Sequence, residues 1–183
     1  FHHQHIHHRF DGAGADAAHA DAADEGGKVQ RGDLQLQRRV GVAGLRRELD
    51  LTESARLFAL VSMATADSFI AVFEAKYHYG LWRPVTAIRN ADITNNSATP
   101  REAAWQPLVE TPMHPEYPCA HCISSSAAAT VMELVLGESL PEFSMTSPAL
   151  PGVTRRWTSL RDYANEVSSA RIYGGIHYRF STV

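Results

Sequence analysis

Residues 117–136 read YPCAHCISSSAAATVMELVL, and this stretch decides the fold. A tight turn at Pro118–His121 opens into an alanine-rich apolar run, which predicts a helix that ends where Gly137 interrupts it. The N-terminus of a helix presents unpaired N–H groups and the positive end of the helix dipole. The sequence therefore predicts a seat for an oxyanion beside His121.

Two other stretches supply the positive charge that such a seat needs. Lys76 and Arg83 lie upstream of the helix, and Arg171 and His177 lie downstream. A tetrahedral oxyanion needs several cations and backbone donors around it, and arginine offers forked donors where lysine offers a point charge. A neutral imidazole nitrogen can bind a metal or attack phosphorus. We expect these four residues and His121 to form one pocket.

The composition bounds the class of protein. The 183 residues are 44% hydrophobic and 20% charged, which is enough for one globular domain with a core, and the net charge of −3 gives no reason to expect nucleic acid as a partner. No window of about 18 uninterrupted apolar residues argues for a membrane span, and the first residues lack a basic region followed by an apolar core. We therefore expect a soluble protein; its compartment and its oligomeric state, a homo-oligomer included, stay open.

The two cysteines, Cys119 and Cys122, are three residues apart. Two cysteines are too few for a disulfide framework, and this spacing favours reduced thiols or a redox pair.

Residues 1–44 are rich in Ala, Gly, Asp, Gln and His and carry few large apolar side chains, which predicts a low-complexity, disordered segment. Residues 45–183 are expected to form the domain. Asp50 with Glu53 three residues later predicts a capped helix, largely buried, that runs to about Tyr77 and is broken by Gly80.

The second half of the chain alternates connections and helices. Four prolines between residues 105 and 118 predict an extended, rigid connection that aims the turn at His121. Residues 140–156, with three more prolines, are predicted to be a long loop. Thr158 or Ser159 is expected to cap a last helix whose apolar stripe leads to Arg171.

The order and spacing of these residues resemble a known signature. Six residues separate Lys76 from Arg83, which Pro84 follows; Pro118-Cys119-Ala120-His121 comes next, and five residues separate Arg171 from His177. This pattern resembles the three-part signature of the superfamily of type 2 phosphatidic acid phosphatases and vanadium-dependent haloperoxidases. The similarity covers roughly residues 54–181, and the flanks look like the haloperoxidase-related branch of plants and bacteria at Leu57–Ala59, Trp82–Arg89, Thr111–Pro118 and Ile172–Phe180.

The resemblance implies an all-α helical bundle, incomplete at its C-terminal end, with the site at one end of the bundle. It implies that Lys76, Arg83 and Arg171 neutralise the oxyanion and that Lys76 also polarises a bound peroxide if the oxyanion is vanadate. The positions of Cys119 and Ala120 would add donors to the oxyanion.

The same resemblance assigns roles to the two histidines. His121 would be the general acid or base. His177 would be the axial ligand of vanadium in a peroxidase or the phosphorylated nucleophile in a phosphatase.

This chain departs from the family at four positions. Cys119-Ala120 stands where Ser-Gly is usual, and Ala170 stands where many members have serine. Ser181 stands where some members have an acid four residues beyond the last histidine. Without that acid, the tautomer and orientation of His177 need another partner.

Four functions follow from these residues. The favoured one is a vanadate-dependent haloperoxidase that oxidises a halide with hydrogen peroxide. The second is a phosphomonoesterase that needs no cofactor and works on a phosphate ester through a phosphohistidine. The third is a non-catalytic, truncated family member, and the fourth and weakest is a thiol redox or zinc motif at Cys119–Cys122.

Overall fold

The computed structural model describes residues 49–138, 140–148 and 150–183. The segment predicted to be disordered, residues 1–44, lies outside the described residues, so the domain boundary at residue 45 stays a prediction. The described chain is a small helical bundle with one two-stranded sheet, which confirms the predicted all-α class apart from that sheet.

Helix α1, Leu51–Tyr79, begins after the predicted cap, Asp50, and runs two residues beyond the predicted Tyr77 to the predicted break at Gly80. The Glu53 amide donates to Asp50 Oδ1 at 2.7 Å, and the Asp50 amide donates to Glu53 Oε2 at 3.1 Å, so the capping box is complete. Gly80 ends the helix in the left-handed conformation, with φ of 58°, and its amide donates to the Lys76 carbonyl.

Only one stripe of α1 is buried, and the expectation of a largely buried helix is wrong. The buried positions recur every three or four residues: Leu57, Val61, Thr65, Ser68, Val72 and Lys76. The opposite side exposes large apolar side chains such as Met63 and Ile70. The reason is that α1 packs on a single helix of the described chain, α3, Ala120–Leu136.

The run Leu51–Arg89 is long and apolar enough to cross a membrane by length and composition alone. The core helix of a water-soluble protein passes the same test. The soluble character expected from the sequence therefore stays a prediction.

The core lies between α1, α3 and the last long helix. Helix α3 ends at Gly137 as predicted. Ser159 caps the last helix by accepting from the Asp162 amide at 3.2 Å, also as predicted. Small side chains on α3 let the helices approach closely, and the buried cluster consists of Leu57, Val61, Ala128, Ala129, Met132, Leu136, Leu160 and Ala164.

The predicted long loop over residues 140–156 is wrong, because most of it forms an antiparallel hairpin. Strand β1 is Phe143–Ser147 and strand β2 is Leu150–Trp157, with Phe143 opposite Trp157. Both strands of a two-stranded sheet are edge strands, which tolerate the proline at position 151. The ring of Trp157 lies 5.2 Å from that of Tyr163, centroid to centroid, and this contact anchors the hairpin on the last helix.

Short elements complete the chain. Helix α2 is Pro84–Arg89, a 3₁₀ turn covers Ala91–Thr94, and a second one covers Arg179–Ser181. The last long helix, Leu160–Tyr173, is α4. Residues 105–118 form neither helix nor strand, as the prolines predicted.

Candidate oxyanion site

The proline-rich connection ties the three parts of the signature together through its backbone. The Glu116 amide donates to the Leu81 carbonyl at 2.9 Å, just before α2. The Leu108 amide donates to the Gly174 carbonyl at 3.1 Å, at the end of α4. The Cys119 amide donates to the Ser181 carbonyl at 3.0 Å, so the start of α3 and the C-terminal 3₁₀ turn also meet here.

Lys76 lies at the C-terminal end of the buried stripe of α1 and is fully buried. Its Nζ atom donates to the carbonyls of Pro115 at 2.9 Å and Glu116 at 3.0 Å. Burial, followed by the charge of Arg83, lowers the pKa of Lys76 to about 7. The ammonium is thus held rigidly and sits near its titration point at neutral pH.

Arg83 is buried at the N-terminus of α2, where Pro84 keeps it extended with ψ of 154°. Its guanidinium spans two segments. Nε donates to the His114 carbonyl at 3.0 Å, and Nη1 donates to the Ile176 carbonyl at 2.8 Å. Nη2 lies 3.1 Å from His114 Nδ1 and Nη1 lies 3.0 Å from His177 Nε2.

These contacts fix the tautomer of His177. A guanidinium can only donate, so Nε2 must accept from Arg83 and carry its lone pair. The ring proton is then on Nδ1, which lies 2.7 Å from Glu116 Oε1. Burial lowers the pKa of His177 to about 4, against the opposing hydrogen bond to Glu116. At neutral pH the ring is neutral with a lone pair beside Arg83.

Glu116 is the functional residue that the sequence reasoning missed. It is fully buried, and its Oε1 atom also accepts from the Tyr178 amide at 2.9 Å and from the Ser181 hydroxyl. Burial alone would raise its pKa, but the hydrogen bonds from His177, Ser181 and Tyr178 outweigh it and lower the pKa. The partner that His177 needs is thus Glu116, and Ser181 binds that carboxylate instead of replacing it.

One signal in the sequence could have pointed to Glu116. A single carboxylate stands between Pro115 and Tyr117 in a segment whose prolines aim it at the site. A charge held that way is costly unless it has a partner.

The other two histidines near the site, His121 and His114, are neutral at neutral pH. His121 is the second residue of α3, and burial, followed by the charge of Arg171, lowers its pKa to about 3. Burial, followed by Lys76, lowers the pKa of His114 to about 3. His114 Nδ1 lies 3.1 Å from Arg83 Nη2 and 3.2 Å from the Pro115 carbonyl, and its tautomer allows a hydrogen bond with one of the two.

Arg171 lies in the last turn of α4. Its charge lowers the pKa values of both Lys76 and His121, so it lies within electrostatic range of both groups. The structure therefore brings together Lys76, Arg83, His121, Arg171 and His177, although the binding of an anion by them stays a prediction.

Of the two alternatives predicted for the cysteines, reduced thiols are wrong, because Cys119 and Cys122 form a disulfide, while a redox pair stays a prediction. The first turn of a helix brings residues three apart to the same side, which allows the bond. Cys119 is the N-cap of α3, and its sulfur accepts from the Cys122 amide at 3.2 Å. A disulfide sulfur has no proton to donate, and sulfurs bonded to each other cannot be thiolate ligands of zinc.

Cys119 has little left to offer an anion. Its amide donates to the Ser181 carbonyl and its sulfur is oxidised. Ala120, the first residue of α3, places its amide in the unpaired first turn of the helix. The predicted contact with an oxyanion stays a prediction for both residues, and the amide of Ala120 is the better donor.

The donor set fits vanadate. The cations Arg83 and Arg171 lie within electrostatic range of Lys76, and Arg171 is also in range of His121 in the first turn of α3. The Nε2 atom of His177 carries the lone pair that coordination requires, and coordination would replace the hydrogen bond that this lone pair accepts from Arg83. Fold and site together define a helical-bundle protein with a buried cluster of cations and histidines at one end.

The comparisons with known proteins name the family. Residues 56–183 match the family described as the VCPO second helical-bundle domain, and the chain belongs to that family, within the vanadium haloperoxidase superfamily. A search of functionally curated proteins gave no match.

Two bacterial structures are similar to this chain. A vanadium-dependent iodoperoxidase is 30% identical with a TM-score of 0.65, over 78% of this chain and 33% of its own. An apo-type vanadium-dependent chloroperoxidase is 17% identical with a TM-score of 0.65, over 88% of this chain and 41% of its own, and shows the fold alone. The chain thus spans about a third of the iodoperoxidase and two fifths of the chloroperoxidase.

Proposed function

We propose that this chain carries the vanadate-binding site of a haloperoxidase, which uses hydrogen peroxide to oxidise a halide. The observation that carries the proposal is the state of His177: Nε2 has its lone pair beside the cation Arg83, and the ring proton is held on the far side by Glu116. Membership of the vanadium haloperoxidase superfamily supports the same assignment.

The cations have the task of neutralising the oxyanion. Arg83 and Arg171 stay charged at every pH at which the protein is folded, whereas Lys76, with a pKa of about 7, is the cation that can be lost. A bound anion would favour the charged form of Lys76, because opposite charges attract most strongly where water is excluded.

His121 is suited to proton transfer. The ring is neutral at neutral pH because its pKa is about 3, so it can accept a proton. A negative charge nearby would raise this pKa toward the working pH. His177, by contrast, is committed to Glu116 through its proton and can use only Nε2.

Bound vanadate would supply a Lewis-acidic centre that activates hydrogen peroxide toward the halide. His177 would hold this centre through Nε2, and Lys76, Arg83, Arg171 and the Ala120 amide would hold its oxygens.

The test starts with binding. Orthovanadate should raise the unfolding temperature of the chain, because a ligand that binds only the folded state stabilises it. The His177→Ala variant should lose this response. His78→Ala is the matched control, since His78 is exposed and contacts Tyr79 on the outside of α1, and it should keep the response.

The assays then separate the reactions. After vanadate loading, the chain should oxidise bromide or iodide with peroxide, and His177→Ala should not. Hydrolysis of an aryl phosphate without vanadate would replace the proposal with the phosphomonoesterase. Stabilisation by vanadate without either activity would identify a binding-competent but non-catalytic member, and no stabilisation at all would refute the site.

A further inference from the structure

One carboxylate oxygen in the site collects three hydrogen-bond donors. Glu116 Oε1 accepts from His177 Nδ1 at 2.7 Å, from the Tyr178 amide at 2.9 Å and from the Ser181 hydroxyl. All four residues are at most half exposed, and Glu116 itself is fully buried.

The second oxygen of the same carboxylate has a different environment. Within the part of the chain that the structure describes, Glu116 Oε2 is buried and has no hydrogen-bond partner. A buried carboxylate with one unsatisfied oxygen is costly to the fold. A group kept only for stability would be replaced at little cost by a neutral one, so the charge itself needs another explanation.

The geometry around His177 provides an explanation for the charge of Glu116. Arg83 donates to Nε2 from one side, while Glu116 accepts the Nδ1 proton from the other. The imidazole ring is therefore held between a cation at Nε2 and an anion at Nδ1. A negative charge at Nδ1–H raises the electron density on Nε2, which is the atom that a metal or phosphorus would meet.

From this arrangement we infer that Glu116 is the positioning residue of the site: its charge fixes the Nδ1–H tautomer of His177 and strengthens Nε2 as a ligand. The inference deepens the proposed function and rests on it for the identity of the ligand. Ser181 and the Tyr178 amide hold the carboxylate in place from the same C-terminal segment as His177, while Glu116 itself lies on the proline-rich connection.

The first measurement needs no variant. In protein labelled with ¹⁵N-histidine, His177 should show a protonated Nδ1 and an unprotonated Nε2 at neutral pH. Its Nδ1–H proton should resonate far downfield and exchange slowly, because it is buried in a charge-assisted hydrogen bond. A protonated Nε2 would overturn the inference whether or not vanadate binds.

The second measurement uses Glu116→Gln, which keeps the shape and an acceptor oxygen but removes the charge. The Nδ1–H resonance of His177 should move upfield, and the affinity for vanadate should fall about 10- to 100-fold, as is typical when a partner behind a metal ligand is lost. Glu110→Gln is the matched control, since it makes the same change at an exposed carboxylate of the same proline-rich connection. It should change the affinity less than about threefold.

The outcomes separate the two proposals. If Glu116→Gln lowers stability while the resonance and the affinity stay as in the parent, Glu116 is only structural and the inference is wrong. If Glu116→Gln does not fold, the tautomer of the parent protein still decides. If the parent shows the Nδ1–H tautomer but binds no vanadate, the proposed function fails while the positioning of His177 by Glu116 stands.

Discussion

The two ends of this helical bundle are held together by different forces. At one end, Leu57 and Val61 of α1 pack on alanines and Met132 of α3. At the other end, Lys76, Arg83 and Glu116 are just as buried, but they are held by directed hydrogen bonds. The apolar end is stabilised roughly in proportion to buried area, whereas the polar end depends on each partner being present. The buried stripe of α1 therefore begins with apolar side chains that pack, such as Leu57, and ends with Lys76, which makes directed hydrogen bonds.

The largest expected effect is at the apolar end. Leu57→Ala should lower the free energy of unfolding by about 2–5 kcal/mol, because Leu57 is almost fully buried and leaves a cavity. Urea denaturation measures this loss. The variant should still bind vanadate at a temperature where it is folded.

Met63→Ala is the matched control on the exposed side of the same helix. It should change stability by less than about 0.5 kcal/mol. Equal losses in the two variants would mean that the exposed side of α1 is covered in solution, and loss of vanadate binding in Leu57→Ala would mean that the two ends are not separate.

The second prediction concerns the join between the two regions at Gly175. This residue has φ of 76°, and a Cβ atom there would lie 3.2 Å from Pro107 and from the Trp105 ring. Gly175→Ala should therefore cost more than the roughly 1–2 kcal/mol of the left-handed conformation alone. It should also displace His177 two residues later and weaken the vanadate response.

Gly152→Ala isolates the conformational part of that cost. Gly152 has φ of 80° and open space around its Cβ position, and it lies in the hairpin. Urea denaturation of both variants gives the difference. If the two lose the same stability, the contact with the proline-rich connection does not constrain the site.

The third prediction tests whether the polar end is tuned by Lys76. With a folded-state pKa of about 7 against an ordinary 10.5, Lys76 loses its charge in the folded protein between these values while the unfolded chain keeps it. The unfolded state then binds more protons, so this residue makes the free protein more stable as the pH rises from 7 toward 10.5. Below pH 7 both states are protonated and Lys76 adds no further change.

Anion binding should show the opposite dependence on pH. Sulfate keeps a constant charge across this range, so its affinity should fall above pH 7 by at most about tenfold per unit, as one proton is lost from Lys76. Thermal shifts at pH 6 to 9 measure the affinity. Lys76→Met should bind sulfate weakly at every pH, and a pH dependence that persists in this variant would assign the titration to another group.

The same contrast explains what the sequence could predict. Helix ends followed from local signals, such as Asp50 with Glu53 and the glycine at position 80, because caps are made by neighbours in the chain. The convergence of Lys76, Arg83 and His177 followed from the spacing of a known signature. These predictions needed no knowledge of long-range packing.

What the sequence could not predict depends on contacts between distant segments. The Glu116–His177 hydrogen bond joins residues 61 positions apart, and the identity of one residue does not predict that the other is its partner. The hairpin was hidden because prolines at 148 and 151 suggest a loop, while the ring contacts of Trp157 that hold it form only in the folded chain. The burial of α1 was overestimated because an apolar sequence does not reveal how many neighbours a helix has.

The smallest expected effect lies at the start of α3, where Cys119 is the N-cap. Cys119 caps this helix with its sulfur, which is a poorer acceptor than a hydroxyl oxygen. Two variants without the disulfide isolate the cap: Cys119→Ser with Cys122→Ala, and Cys119→Ala with Cys122→Ala. The serine variant should be more stable by about 1 kcal/mol in urea denaturation, because serine accepts from the first-turn amides and alanine does not.

Both variants lack the disulfide, so the effect of its loss cancels in the difference. Equal stability would mean that the bonds from the Cys119 amide to Ser181 and from the Ile123 amide to Cys119 hold the helix start without a side-chain cap. The helix start would then be held as the polar end is, by partners in distant segments.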